Sequence, residues 1–323
     1  MTEVTRQLLD HIQGNRERRE SLAVVADHLI ERGNPQGELI TLALSGRSDS
    51  PDAKELQQAV LTTALGAAAP GALVTHWRHG FLRHVILNAH RCDLVGLDPP
   101  TALQKVLDDA CGALLEELSL EFGTALDHQD AANRCLEVLR RSSVATLERL
   151  SHYRESGGDL VLDVRVMNDV LRNAPIEQLR LIGGAHRHDR LWELALSDVR
   201  DLQVEGDPLL LAAVGAPGSN GLRSLDIRLD PRPHHQRRPT LRFMDRFISA
   251  EHLPELRRLG LRCWLTANHF CHEMLDRPLP PKLEQLDLPW LELDDRSIEQ
   301  LARHQDRLVG IQLPRQNPGG PPR

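Results

Sequence analysis

The feature that most constrains this chain is a spacing, Leu-x-x-Leu-x-Leu, that returns along most of its 323 residues. It is plainest at Leu283-Glu284-Gln285-Leu286-Asp287-Leu288, a short strand followed by a turn and a helical run over 295–304. Earlier copies begin at Leu82, Leu115, Ile176, Leu191, Val199, Leu222 and Leu256, and a last one at Leu308. A degenerate copy lies near Leu147 and Leu150, or near 160–162. Each copy alternates apolar and polar residues with the period of a strand that buries one face. One such strand cannot bury its apolar face alone, so the copies must stack on one another, with caps at the ends.

Between the strands the spacing predicts helices over 101–114, 129–141, 240–252 and 295–304. Most steps between copies run from 23 to 34 residues, with shorter ones around 176–204 where a helix is missing. This pattern resembles the leucine-rich repeat, and the helix-bearing spacing is closest to the ribonuclease-inhibitor type. The resemblance implies an α/β solenoid of irregular curvature over 77–313. The turn position that normally holds asparagine is Gly123 after one strand and Leu291 after another, so the family's asparagine ladder is largely absent.

The first 46 residues read differently. Leu8, Leu9 and Ile12 line one side of a first helix, and Leu22, Val25, Ala26, Leu29 and Ile30 line a second over 20–32. Gly33 sits where a left-handed cap is wanted, Asn34-Pro35 blocks continuation, and a third helix starts near Gln36. The run from Ala26 to Ile40 resembles the signature of the repeat-companion domain, a short N-terminal module of bacterial repeat proteins, chiefly from myxobacteria and planctomycetes. The family pattern is roughly A-D-W-L-E-E-R-G-D-P-R-G-E-F-I. His28 replaces its Trp and Ile30 its first Glu, while Gly33-x-Pro35-x-Gly37-Glu38 is intact. Trp77-Arg78-His79-Gly80-Phe81 fits the W-x-x-G-F segment that often follows in that family. The resemblance implies a companion to downstream repeats and no assigned chemistry. The expected organisation is therefore a helical companion domain at 1–46, a helical connector at 47–76, the solenoid, and a proline-rich, disordered tail at 314–323.

A net charge of −7 leaves no basic footprint, which argues against nucleic acid as a partner. No apolar stretch is long enough to span a bilayer, and no signal-peptide pattern opens the chain. Five scattered cysteines without a C-x-x-C pair suit a reducing compartment, so a cytoplasmic protein is expected.

The polar positions of each strand would face solvent on one parallel sheet. Those expected to contact a protein partner are Glu117, Glu121, Arg180, Asp226, Arg228, Arg258, Arg262 and Asp287, with Trp264 and Trp290 at the rim as aromatic anchors. The plain alternative is that these are ordinary soluble surface residues, and that the tryptophans pack under the rim. Cys263, His269, Cys271 and His272 lie close together, as do His186 and His188 and the pair His234-His235, but none has a zinc-site spacing, so no metal is expected. Asp27, Glu31 and Glu38 are accounted for by helix pairing and a helix start. No phosphate-binding glycine loop or nucleophile elbow is present, and neither an enzyme nor a cofactor is expected. The dense basic run 232–242 reads as a solvated, proline-bounded loop, or as a contact for an acidic surface or nucleic-acid phosphates. The reading is a scaffold or regulator acting through the sheet. The alternative is an accessory protein of an enzyme system, presenting a peptide or protein substrate through the companion domain.

Overall fold

The structure is a computed structural model that describes residues 3–13, 19–67, 69–123, 126–142, 144–154, 159–160, 163–185, 194–206, 221–229, 253–262, 264–289 and 293–308. It is a mixed α/β protein whose chain falls into two compact units, Met1–Gly158 with Arg165–Ile176, and Asp159–Val164 with Glu177–Arg323.

The first unit opens on four helices: α1 (Glu3–Gln13), α2 (Arg19–Glu31), α3 (Pro35–Leu44) and α4 (Pro51–Leu65). Their ends are written in the sequence. Gly33 takes φ +68, and its N–H donates to Ile30 O at 2.8 Å while Asn34 N–H reaches Leu29 O at 2.9 Å. Those two bonds close α2 in a Schellman cap. Asn34 then turns donor into acceptor, because its Oδ1 receives Gln36 N–H at 3.0 Å and caps α3, with Pro35 at the first helical position. Ser50 and Pro51 repeat that device for α4. Gly37 lets α3 lie directly on α2, since a Cβ there would stand 2.6 Å from Ala26 O.

Helix α5 (Ala69–Ala72) leads into β1 (Leu73–Arg78), which pairs antiparallel with β2 (Phe81–Asn88). The turn between them is His79-Gly80, both at positive φ (+50 and +79), as a two-residue hairpin of type I′ requires. Strand β1 lies largely in the stretch expected to be a helical connector, because it lacks the Leu-x-x-Leu-x-Leu spacing that marks β2. Strands β3 (Glu117–Phe122) and β4 (Arg149–Arg154) follow in parallel. The predicted positions align without offset, Val85 beside Leu118 beside Leu150, and Leu87 beside Leu120 beside His152. His152 is buried where other copies put an aliphatic residue, which is why this copy looked degenerate. Helices α6 (Ala89–Leu94), α7 (Pro99–Asp108), α8 (Leu126–Arg141) and α9 (Val164–Asn173) complete the unit. One cluster of buried residues joins Leu9, Ile12, Leu22, Val25 and Leu29 of the helices to Phe81 and Ala110.

In the second unit β6 (Gln178–Ala185), β7 (Asp201–Gly206), β8 (Ser224–Leu229), β9 (Arg258–Leu261) and β10 (Gln285–Asp287) lie parallel in that order, with the short β5 (Asp159–Leu160) beside β6. Leu179, Leu202, Leu225, Leu259 and Leu286 share one buried row. Just before each strand, a carbonyl accepts two N–H groups from the next copy. Glu177 O takes Arg200 and Asp201, Arg200 O takes Arg223 and Ser224, Arg223 O takes Arg257 and Arg258, and Arg257 O takes Glu284 and Gln285, all within 2.7–3.0 Å. A regular backbone ladder thus fixes register at that end of the sheet.

After β9 the chain forms α10 (Trp264–His269), one π-helical turn (Phe270–Met274) and, beyond β10, α11 (Asp295–Arg303). Asn268 Oδ1 accepts Asp294 N–H at 3.0 Å and the buried Ser297 hydroxyl at 2.8 Å, while Asp294 caps α11. One asparagine here ties a helix to the start of the next. The copy predicted at Leu191 is not a strand over 194–196, although Leu194 and Leu196 are buried, and Leu308 belongs to a short 3-10 turn. The predicted helix 240–252, the strand residues 311–313 and the tail lie outside the described residues.

Candidate interaction surface

Strand alternation sends one set of side chains inward and the other to solvent. In the second unit the outward set forms rows across the strands. Arg180, Gln203, Asp226, Gly260 and Asp287 make one row, flanked by Gln178, Asp201, Ser224, Arg258 and Gln285, and on the other side by Glu205 and Arg228. Arg228 and Arg262 follow the paired residues Ile227 and Leu261, and Arg262, one residue past β9, donates its N–H to Ile227 O at 2.8 Å, which brings the two side by side.

Apart from Asp201, the charges of these rows are paired. Arg262 meets both oxygens of Asp226 through Nε at 3.0 and 2.8 Å and through Nη2 at 2.7 Å. Arg258 reaches one oxygen of Asp287 with two N–H groups, at 3.0 and 2.8 Å, while Gln285 donates to both oxygens from the same strand. Glu205 lies 3.6 Å from both Arg180 and Arg228. The cations are the outer layer. Side-chain exposure is 44–63% for the four arginines but only 18–26% for Asp226, Asp287 and Glu205. Gly260 makes room for this arrangement, because a Cβ there would press on the Asp226 carboxyl at 3.1 Å. Asp226 in turn raises the Arg262 pKa above its already high value through their hydrogen bond and charge. Burial, then the nearby Glu177, raises the pKa of Asp201, against the opposing effect of Arg223 and Arg258.

In the first unit the outward residues Glu117 and Glu121 are also engaged. Glu117 accepts from Arg149 at 2.9 Å and Glu121 from Asn88 at 2.9 Å. His84 stacks on His76 with ring centres 5.3 Å apart and touches the Ser119 hydroxyl at 3.1 Å. Seven of the ten residues expected at the surface therefore lie on outward strand positions and an eighth, Arg262, directly follows β9, none as an isolated charge. Trp264 opens α10, but its side chain, like all of Trp290 and the basic run 232–242, lies outside the described residues. The two layers are not legible in the sequence, since spacing tells which residues face out but not how deep each one sits.

Other chemistry finds little footing. Burial pushes the Cys92 thiol up to about 11 and the Cys271 thiol up to about 12, and it also raises Cys111 and Cys135, so none of the four is a ready nucleophile. Among the described residues no group of three or more His, Cys, Asp or Glu side chains is arranged to hold a metal ion. His272 is spent on Asp294 and Ser297, at 3.0 and 3.1 Å, and Cys263, His186, His188, His234 and His235 lie outside the described residues. A cleft of about 620 Å³ in the first unit is walled by Arg6, Asp10, Gln104, Asp108 and Arg141, with charges of both signs interspersed. No described helix is long and apolar enough to cross a membrane.

No protein-family model matches the chain, and no curated protein does. Among solved structures it is similar to a Bacteroides fragilis protein determined as a structural-genomics target, at 15% identity and a TM-score of 0.44. The match covers 68% of this chain and 63% of that one.

Proposed function

We propose that this chain is a leucine-rich-repeat type of solenoid with a companion module at its N-terminus, working without catalysis as a scaffold or regulator of a protein partner. The observation that carries this reading is the outward face of β6–β10, where recessed carboxylates on a hydrogen-bonded parallel sheet hold Arg258 and Arg262 by hydrogen bonds and lie near Arg180 and Arg228. Such a face offers a rigid, pre-oriented set of donors, which lowers the ordering cost of association. The in-register apolar rows support the repeat reading, because each strand repeats the inward positions of its neighbour.

The test is affinity capture from bacterial lysate with the wild type and with Arg258→Glu/Arg262→Glu, read by mass spectrometry. A partner lost in the variant supports the sheet as the contact surface. A partner that the variant still captures moves the contact elsewhere, with the N-terminal module as the alternative. Deleting 1–46 is not a clean test of that alternative, since α1–α3 share their core with Phe81 and Ala110. Substituting the exposed Val24 with Asp leaves that core in place and serves instead.

A further inference from the structure

The two layers of charge on β6–β10 say more about a partner than the formal count does. On this face Arg180, Arg228, Arg258 and Arg262 are matched by Asp201, Glu205, Asp226 and Asp287, so the sum is zero. Yet the guanidiniums are the more exposed groups and the carboxylates of Glu205, Asp226 and Asp287 sit beneath them. A guanidinium has five N–H donors, and a pair with one carboxylate uses about two of them. Asp226 and Asp287 therefore act as seats that aim Arg262 and Arg258 and leave outward donors for a second acceptor.

The spacing adds a second argument. Arg262 lies one residue past β9, where its N–H donates to Ile227 O at 2.8 Å, which sets it beside Arg228 at about the 4.8 Å spacing of neighbouring strands. Like charges placed directly across a pair of strands destabilise it. Asp226 relieves Arg262 at 2.7 Å, whereas among the described residues Arg228 meets Glu205 alone, at 3.6 Å and shared with Arg180. An incoming anion between the two guanidiniums would relieve what remains.

We infer that this face receives an acidic polypeptide segment, whose side-chain carboxylates enter between Arg228, Arg258 and Arg262. The inference rests on the sheet being a protein-binding surface and adds the chemistry of what it binds. Carboxylate suits the site because guanidiniums take it in a planar, two-pronged geometry at short range. A nucleic-acid backbone needs an excess of positive charge over a wide area, which a balanced face on a chain of net charge −7 does not supply.

The experiment is fluorescence anisotropy of the full chain with labelled hexaglutamate, its hexaglutamine counterpart and a thymidine hexanucleotide, at low and physiological salt. Hexaglutamate should bind and hexaglutamine should not. Arg228→Gln/Arg262→Gln should weaken hexaglutamate about tenfold or more, each lost charge-assisted bond contributing roughly a few-fold to tenfold. Arg262→Gln/Asp226→Asn should weaken it as well, although that pair leaves the net charge unchanged. Arg228→Lys/Arg262→Lys keeps the charge and should fall in between, and it replaces the Gln variant if the latter melts early. No hexaglutamate binding, binding equal in wild type and the Gln variant, or tighter binding of the hexanucleotide would each overturn the inference. If a captured partner is lost on the face variant while hexaglutamate does not bind, the surface reading stands and the acidic class falls.

Discussion

The side-chain amide of Gln36 donates to the carbonyl of Gly80 at 3.2 Å in a buried site, joining α3 to the β1–β2 turn across 44 residues. The same turn rests on Ile40, four residues further along α3. A Cβ on Gly80 would come within 2.6–2.8 Å of the Ile40 side chain and backbone. The stretches 26–40 and 77–81 are thus parts of one packed joint. A single glycine serves both the hairpin geometry and the close approach.

Gly80→Ala should accordingly destabilise the first unit by roughly 2–4 kcal/mol, from a positive φ and a backbone collision acting together. Gln36→Ala should cost about 1–3 kcal/mol, because it leaves the Gly80 carbonyl buried without its donor. Chemical denaturation followed by circular dichroism measures both. A Gly80→Ala midpoint equal to wild type would mean that the turn can move off α3.

Much of this arrangement was legible beforehand, and the physical reason differs by element. Leu118, Leu202, Leu225, Leu259 and Leu286 could be placed because alternation with a fixed spacing admits one inward face. The caps at Gly33, Asn34 and Ser50 could be placed because those residues satisfy orphan backbone groups locally. Strand β1 could not, since its partner relation to β2 depends on the His79-Gly80 turn and its residues Leu73–Arg78 carry no repeat spacing. Nor could the pairing of Arg262 with Asp226, which lie 36 residues apart and meet only once β8 and β9 are aligned.

The four described cysteines should resist alkylation in the folded chain. Cys92, Cys111, Cys135 and Cys271 are buried, and burial holds each thiol in its protonated form at neutral pH. Iodoacetamide labelling at mildly alkaline pH, mapped by peptide mass spectrometry, should modify them only after denaturant is added. Rapid labelling of Cys271 without denaturant would mean that the π-helical turn opens readily.

The His76–His84 stack predicts a pH dependence of one sign. Burial lowers the pKa of His84 first, His76 and Arg149 lower it further, and Glu117 opposes them. The unfolded chain takes up a proton on this ring near 6.5, whereas the folded chain resists it. His84 therefore contributes stability that is present above about 6.5 and is lost as pH falls through its lowered folded value. Nuclear magnetic resonance titration should show a midpoint below the ordinary imidazole value. His84→Gln should flatten the loss of stability between neutral and mildly acidic pH.

Asp201 carries the opposite sign. It sits on the outward face of β7 with Glu177 near by, and burial together with that charge lifts its pKa, while Arg223 and Arg258 pull the other way. A carboxyl whose folded pKa is raised binds its proton more tightly in the native state than in the unfolded chain. Its contribution is favourable below the unfolded carboxylate value and is lost as pH rises through the folded value. Asp201→Asn keeps an acceptor for Gln178 while removing the charge, so it should stabilise the second unit at neutral pH and leave it unchanged at strongly acidic pH. Thermal melts of wild type and variant across the carboxylate range check this. If the two curves ran parallel at every pH, the native protein would not be strained by that charge. A variant less stable than wild type at neutral pH and equal to it in strong acid would instead place Asp201 with the acids that seat arginines, a further seat on the face proposed for an acidic partner.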